Sequence, residues 1–142
     1  MSRQNPTVII ALGGNAISPK NESGDIEKQF EHTRESLDAV MHFVKERYNI
    51  CITHGNGPQV GAELLKNEIT KDKIPSLPLG VLVANTQGAI GYMIQQTLQN
   101  ALQKKDIDRE VVTFISQVIV DKNDPTIKNP TKFIGKSYSK EE

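Results

Sequence analysis

The sequence predicts an α/β fold: an open, mainly parallel sheet with helices on both faces. Three observations carry this. Residues 7–12 and 49–54 are short apolar runs that each stop at a glycine-rich turn. Apolar residues recur at helical spacing in the stretches between and after them. The resulting order of strand, helix, strand, helix asks for parallel neighbours joined by crossovers.

The first run, Thr7-Val8-Ile9-Ile10-Ala11-Leu12, is rich in β-branched residues and has no polar alternation. Such a run predicts a strand buried on both faces. A polar loop follows over residues 18–25. Phe30, Leu37, Val40, Met41, Val44 and Tyr48 then share one helical face and predict a helix over residues 26–47. The second strand, residues 49–54, contains Cys51 as a small buried hydrophobe. Pro58 sits where a first-turn proline suits a helix start, and Val60, Leu64, Leu65 and Ile69 form that helix's face. Residues 71–78 form a polar, proline-bearing connection.

A long helix is predicted over residues 79–104, with Ile90, Met93, Ile94, Thr97, Leu98, Ala101 and Leu102 on or near one face. Gly88 and Gly91 each cost a helix about 1 kcal/mol against alanine. They point instead to close approach of another backbone. Residues 111–120 predict a third strand. After Asp121 the chain turns basic and carries the turn signals Asp124-Pro125 and Asn129-Pro130.

Composition narrows the function. The chain has 142 residues, 17 basic and 17 acidic, with 5% aromatic residues and no Trp. A size suited to one domain, balanced charge and no stacking platform point away from nucleic acid and from an acidic membrane surface. No apolar run reaches the ~20 residues of a membrane helix. The start, Met1-Ser2-Arg3-Gln4-Asn5-Pro6, has no apolar region behind it, and one cysteine forms no internal disulfide. The expectation is a cytoplasmic protein. Asn21-Glu22-Ser23 fits a glycosylation sequon and carries no weight without a secretion signal.

Two glycine turns could carry chemistry. Gly13-Gly14-Asn15 follows the first strand, where glycines let backbone N–H groups face a ligand. Gly55-Asn56-Gly57 follows the second strand and opens a helix, whose positive end favours a phosphate. Each alone reads as an ordinary turn. Two of the same kind, at the carboxyl ends of parallel strands, predict an anion site. Residues 55–61 also resemble a variant dinucleotide fingerprint, but no acid stands about 20 residues on. Gly135-Lys136-Ser137 lacks the upstream glycine and strand of a P-loop. His54 suits a turn cap or a general base. His32 and His42, ten residues apart, make no metal pair, and Asp121-Lys122-Asn123-Asp124 lacks the glycine and closing Glu of a calcium loop. No metal site is expected. Lys132, on a proline-stiffened loop, could bring a point charge to a phosphate or form part of a solvated basic loop.

Three segments together resemble the carbamate kinases, members of the amino acid kinase family. They are residues 8–16 (VIIALGGNA), 55–61 (GNGPQVG) and 87–93 (QGAIGYM), joined by Asn129-Pro130-Thr131-Lys132. Many amino acid kinases place a lysine two residues before the first glycine. Here that position is Ala11, as in carbamate kinases, where a lysine of a protruding loop takes over. Lys132 is the matching residue.

The resemblance implies reversible phosphoryl transfer between ATP and carbamate, with Mg2+ accompanying the nucleotide. In arginine fermentation the direction is ATP formation from carbamoyl phosphate. Gly13, Gly14, Asn15, Gly55, Asn56 and Gly57 would bind the transferred group, and Lys132 would be catalytic. Residues 1–120 would be the N-terminal lobe and 121–142 the start of the protruding subdomain. The helix around residues 88–102 would support a homodimer. Family members continue into an ATP-binding lobe, which these residues do not contain. The chain alone is therefore expected to be inactive. The alternatives are a non-catalytic anion-binding domain derived from that lobe, and a dinucleotide-binding domain.

Overall fold

The computed structural model describes residues 5–17 and 25–135. The elements run β1 (Thr7–Leu12), α1 (Gly14–Ile17), α2 (Ile26–Lys45), β2 (Asn49–His54), α3 (Gly57–Thr70) and α4 (Leu79–Gln103), then a 3-10 turn at Pro125–Ile127. The two strands pair in parallel, in register from Thr7 with Asn49 to Leu12 with His54. Both strands match the residues their apolar runs predicted. A helix between two parallel strands is the crossover that such pairing requires.

The chain divides into two compact units. One holds residues 1–55 and 90–113, the other residues 56–89 and 114–142.

The first unit contains β1, β2, α2 and the C-terminal part of α4. Its core joins Leu12, Ile17, Leu37, Val40, Met41 and Val44 to Ile90, Met93, Ile94, Leu98 and Leu102 of α4. Ile10, Ile50 and Ile52 pack against that cluster. Helix α2 starts at Asp25, whose carboxylate accepts the Lys28 N–H at 2.9 Å. This N-cap satisfies a donor the helix leaves without an internal partner. The helix ends at Lys45, and Arg47 two residues on takes φ 61°. A left-handed residue just past the last turn is a common helix stop. Thr33 is fully buried and donates its hydroxyl to the Gln29 carbonyl at 2.7 Å, so its polar atom is satisfied inside the helix.

Four expectations need correction. The strands are not buried on both faces: exposure alternates along each, and Ile9 is 71% exposed. The apolar side chains of α2 and α4 join one core with the inward residues, and the other face of the two strands stays open. For the same reason Cys51, which was expected to be buried, is exposed. Residues 111–120 form no strand among the described residues, because no described strand pairs with them. Val112, Phe114, Val118 and Ile119 are consequently exposed. On α3, Val60 is buried but Leu64, Leu65 and Ile69 are exposed.

What replaces the ladder is a pair of side-chain clamps from α4. In the first unit, Gln99 accepts the Val111 N–H at 3.0 Å and donates to the Arg109 carbonyl at 3.1 Å. In the second, Gln87 accepts the Ser116 N–H at 2.8 Å and donates to the Ser116 carbonyl at 3.3 Å. A glutamine amide carries both a donor and an acceptor and so can stand in for a neighbouring strand.

Candidate functional site

Each strand runs into a glycine at its carboxyl end. Leu12 and His54 are opposite one another in the register, so Gly13 and Gly55 leave the sheet side by side. The Gly55 N–H reaches the Leu12 carbonyl at 3.4 Å, a long continuation of the ladder. Gly13 accepts the Ala16 N–H at 2.9 Å as the chain winds into α1. A Cβ built on Gly13 would meet nothing within 4 Å, so space beside its backbone is open. Gly14 opens α1; the side chain of Asn15 lies outside the described ones. Ser36 of α2 donates to the Ala16 carbonyl at 3.3 Å and ties this turn to the core.

His54 places Nδ1 3.2 Å from the Gly55 carbonyl, which is the turn-capping role. At the other end of the strands, a cleft of about 690 Å3 is lined by Asn5, Asn49, Arg47, Asp106, Asp108 and Arg109 among others. Its charges have both signs and select no anion.

In the second unit, α3 begins at Gly57 with Pro58 in its first turn. Asn56 is its N-cap by position, but its side chain makes no capping bond. The Asn56 amide instead donates to Thr86 Oγ1 at 3.0 Å and to the Val83 carbonyl at 3.3 Å. Thr86 is buried and donates back to the Leu82 and Val83 carbonyls. No acid lies in the first turn of α3. This contrasts with α2, whose start carries Asp25 and Glu27. The positive end of α3 therefore meets no negative side chain from its own first turn. A Cβ on Gly57 would again meet open space. Sequence reasoning missed Thr86, because a helical threonine among apolar residues gives no signal of what it holds.

Lys132 is exposed in the same unit. Asp121 accepts the Asn123 N–H at 2.9 Å and Asp124 accepts the Thr126 N–H at 2.8 Å, so both carboxylates shape turns. The Thr126 hydroxyl and N–H on Asp124 hold its carboxyl below the usual value of 3.8. Among the described residues, no three His, Cys, Asp or Glu side chains gather as a metal site. Lys136, Ser137, Lys140 and the sequon at Asn21 lie outside the described residues.

Parallel strands joined by a helical crossover, each ending in a glycine turn, define an α/β domain. The chain's relatives make the class specific. It is 45% identical over 136 residues to the carbamate kinase of Pyrococcus furiosus, which covers 94% of this chain and 43% of that protein. It is 46% identical over 134 residues to the carbamate kinase-like protein YahI of Escherichia coli, covering 93% and 42%. The structure of the Giardia carbamate kinase superposes with a TM-score of 0.91 at 38% identity, over 96% of this chain and 46% of that one. The same enzyme from Giardia lamblia bound to AMP-PNP gives 0.87 at 37% identity, over 96% and 43%. No family model matches. The chain is homologous to carbamate kinases, which are phosphotransferases, and spans less than half the length of these relatives.

Proposed function

We propose that this chain forms the carbamoyl-phosphate side of a carbamate kinase. The observation that carries the reading is that Gly13 and Gly55 directly follow Leu12 and His54, which are paired at one end of the parallel strands. Gly13, Gly14, Asn15, Gly55, Asn56 and Gly57 bind the phosphoryl group through backbone N–H groups and small polar side chains. Lys132 brings a mobile positive charge to it as the catalytic residue. Transfer of this kind needs positioned donors for the charge on the moving group and little covalent help. Ala11, where many amino acid kinases carry lysine, leaves that charge to Lys132.

ATP or ADP with Mg2+ is the second reactant in this reading, supported by the AMP-PNP complex of the Giardia relative. The described residues do not fit the metal, since no acidic cluster gathers and Asp121 and Asp124 are engaged in turns. The nucleotide site therefore falls to polypeptide matching the remainder of the relatives' length, and the chain by itself does not turn over. ATP formation from carbamoyl phosphate in arginine fermentation, in the cytoplasm, follows from the resemblance. No described helix is long and apolar enough to cross a membrane. Residues 121–142 belong to a protruding subdomain in this reading. Homodimer formation through α4 would use exposed residues such as Tyr92, because Ile90, Met93, Ile94, Leu98 and Leu102 are buried in this chain's own core.

The test is calorimetry with carbamoyl phosphate, beside a coupled assay with MgADP. The chain is expected to bind carbamoyl phosphate, to bind it measurably more weakly on Gly55→Ala or Lys132→Ala, and to show no turnover alone. Turnover by the pure 142-residue chain would refute the need for a second part. Binding without turnover, even after a carbamate kinase's remaining portion is added, would favour a non-catalytic anion-binding domain.

A further inference from the structure

Within the string at residues 55–61, a Cβ on Gly57 would meet open space, whereas one on Gly61 would meet another backbone. A Cβ on Gly61 would come within 2.2 Å of the Gly135 Cα and 3.0 Å of its nitrogen. From the other side, a Cβ on Gly135 would lie 2.9 Å from the Gly61 Cα. Two backbones thus cross at van der Waals distance, and each glycine excludes a methyl group from the other. Gly135 also takes φ +94°, a region that L side chains rarely adopt. Both residues lie in the second unit, with α3 and the loop that carries Lys132.

The crossing bounds the position of Lys132. Three residues separate it from Gly135, a reach of at most about 11 Å of chain. Along α3, four residues from Gly61 to Gly57 cover about 6 Å. Together with the contact between the two backbones, these spans keep the Lys132 Cα within about 20 Å of the start of α3. We infer that Gly61 and Gly135 are a positioning pair that pins the Lys132 loop to α3, so that the lysine is presented to the helix start. Gly61 is in this view no part of the phosphate cradle. The inference rests on the role proposed for Lys132. It adds residues that act through Lys132 without touching the anion.

Limited trypsin digestion of the full chain, followed by mass spectrometry, reads the crossing directly. Cleavage after Lys132 reports the loop, and cleavage after Lys66 reports α3 itself. Gly61→Ala is expected to raise the rate after Lys132 by about tenfold or more, because cleavage follows the population of the released loop. The rate after Lys66 should not rise, since alanine is the better helix former. An unchanged rate after Lys132, or an equal rise at both sites, overturns the inference. Gly135→Ala approaches the same crossing from the loop side and decides the matter if Gly61→Ala does not fold.

Affinity for inorganic phosphate supplies the functional readout. Gly61→Ala should weaken it in the wild-type chain and leave it unchanged in a Lys132→Ala background. Equal weakening in both backgrounds overturns the positioning role. A wild-type chain that binds neither phosphate nor carbamoyl phosphate refutes the anion site instead, and the cleavage ratio still decides the crossing.

Discussion

Gly88→Ala and Gly91→Ala should have opposite effects on stability, although both replace a glycine on α4. A Cβ on Gly88 would meet only the Ile115 Cδ1, at 3.7 Å, which is ordinary contact. That variant removes a helix-weakening glycine and should gain about 0.5–1 kcal/mol. A Cβ on Gly91 would come within 2.2 Å of the Thr113 Cγ2 and 3.3 Å of its Oγ1. Thr113 is β-branched and stiff, and its hydroxyl donates to the Gly91 carbonyl at 3.1 Å. Rotating it away forfeits that bond, about 1 kcal/mol, and the overpacking costs about 1–3 kcal/mol. Against the helical gain, Gly91→Ala should lose about 1–3 kcal/mol. Urea unfolding should therefore separate the two midpoints by about 0.5 M or more, given slopes of about 1–3 kcal/mol/M. Thr113→Ala removes both clashing atoms, so the double variant should recover about 1–2 kcal/mol relative to the sum of the singles. Midpoints of Gly88→Ala and Gly91→Ala that rise together would refute the close approach.

Four further expectations follow from single residues. Met93→Ala empties a buried position beside Ile90 and Leu98 in the core and should cost about 2–5 kcal/mol in urea unfolding. Asp25→Ala removes the α2 N-cap and should cost about 1 kcal/mol, read from the same transition. Asn56→Asp exchanges the donor that holds Val83 and Thr86 for an acceptor, and should destabilise the chain by about 1–3 kcal/mol while weakening phosphate binding in calorimetry. The turn at residues 124–127 should loosen in acid: the folded Asp124 carboxyl is held below 3.8, so its support is complete above the unfolded value of about 3.9 and disappears as pH falls through the folded one. Amide exchange at Thr126, compared with Asp124→Asn, checks it.

The strands and long helices were legible because each is written in a local pattern. β1 and β2 coincide with their apolar runs, and α4 ends within a residue of the predicted stop. The face of α2 was also legible, since Leu37, Val40, Met41 and Val44 repeat at helical spacing and are all buried. Burial of Cys51 and pairing of residues 111–120 were not legible, because both depend on what lies next to a strand. A continuous apolar run states that a strand tolerates cover on both faces. It does not state that the cover is present in the same 142 residues.

The glycines show the same boundary more sharply. A glycine in a sequence says that a Cβ is unwelcome, and the reason for the exclusion lies in the neighbour. At Gly13 and Gly57 that neighbour is open space, at Gly91 it is a threonine methyl, and at Gly61 it is another glycine's backbone. A string containing Gly55, Gly57 and Gly61 reads from sequence as one glycine-rich motif, with its first two glycines in the expected phosphate site. In the structure it divides, with Gly57 leaving room beside the start of α3 and Gly61 taken up by Gly135 one helical turn on. The division predicts different losses from the same chemical change. Alanine at residue 57 fills the open space and should act on anion affinity directly, with the loop's protease resistance intact. Alanine at residue 61 should lower affinity through the loop that carries Lys132, and the two losses should separate in the digestion pattern.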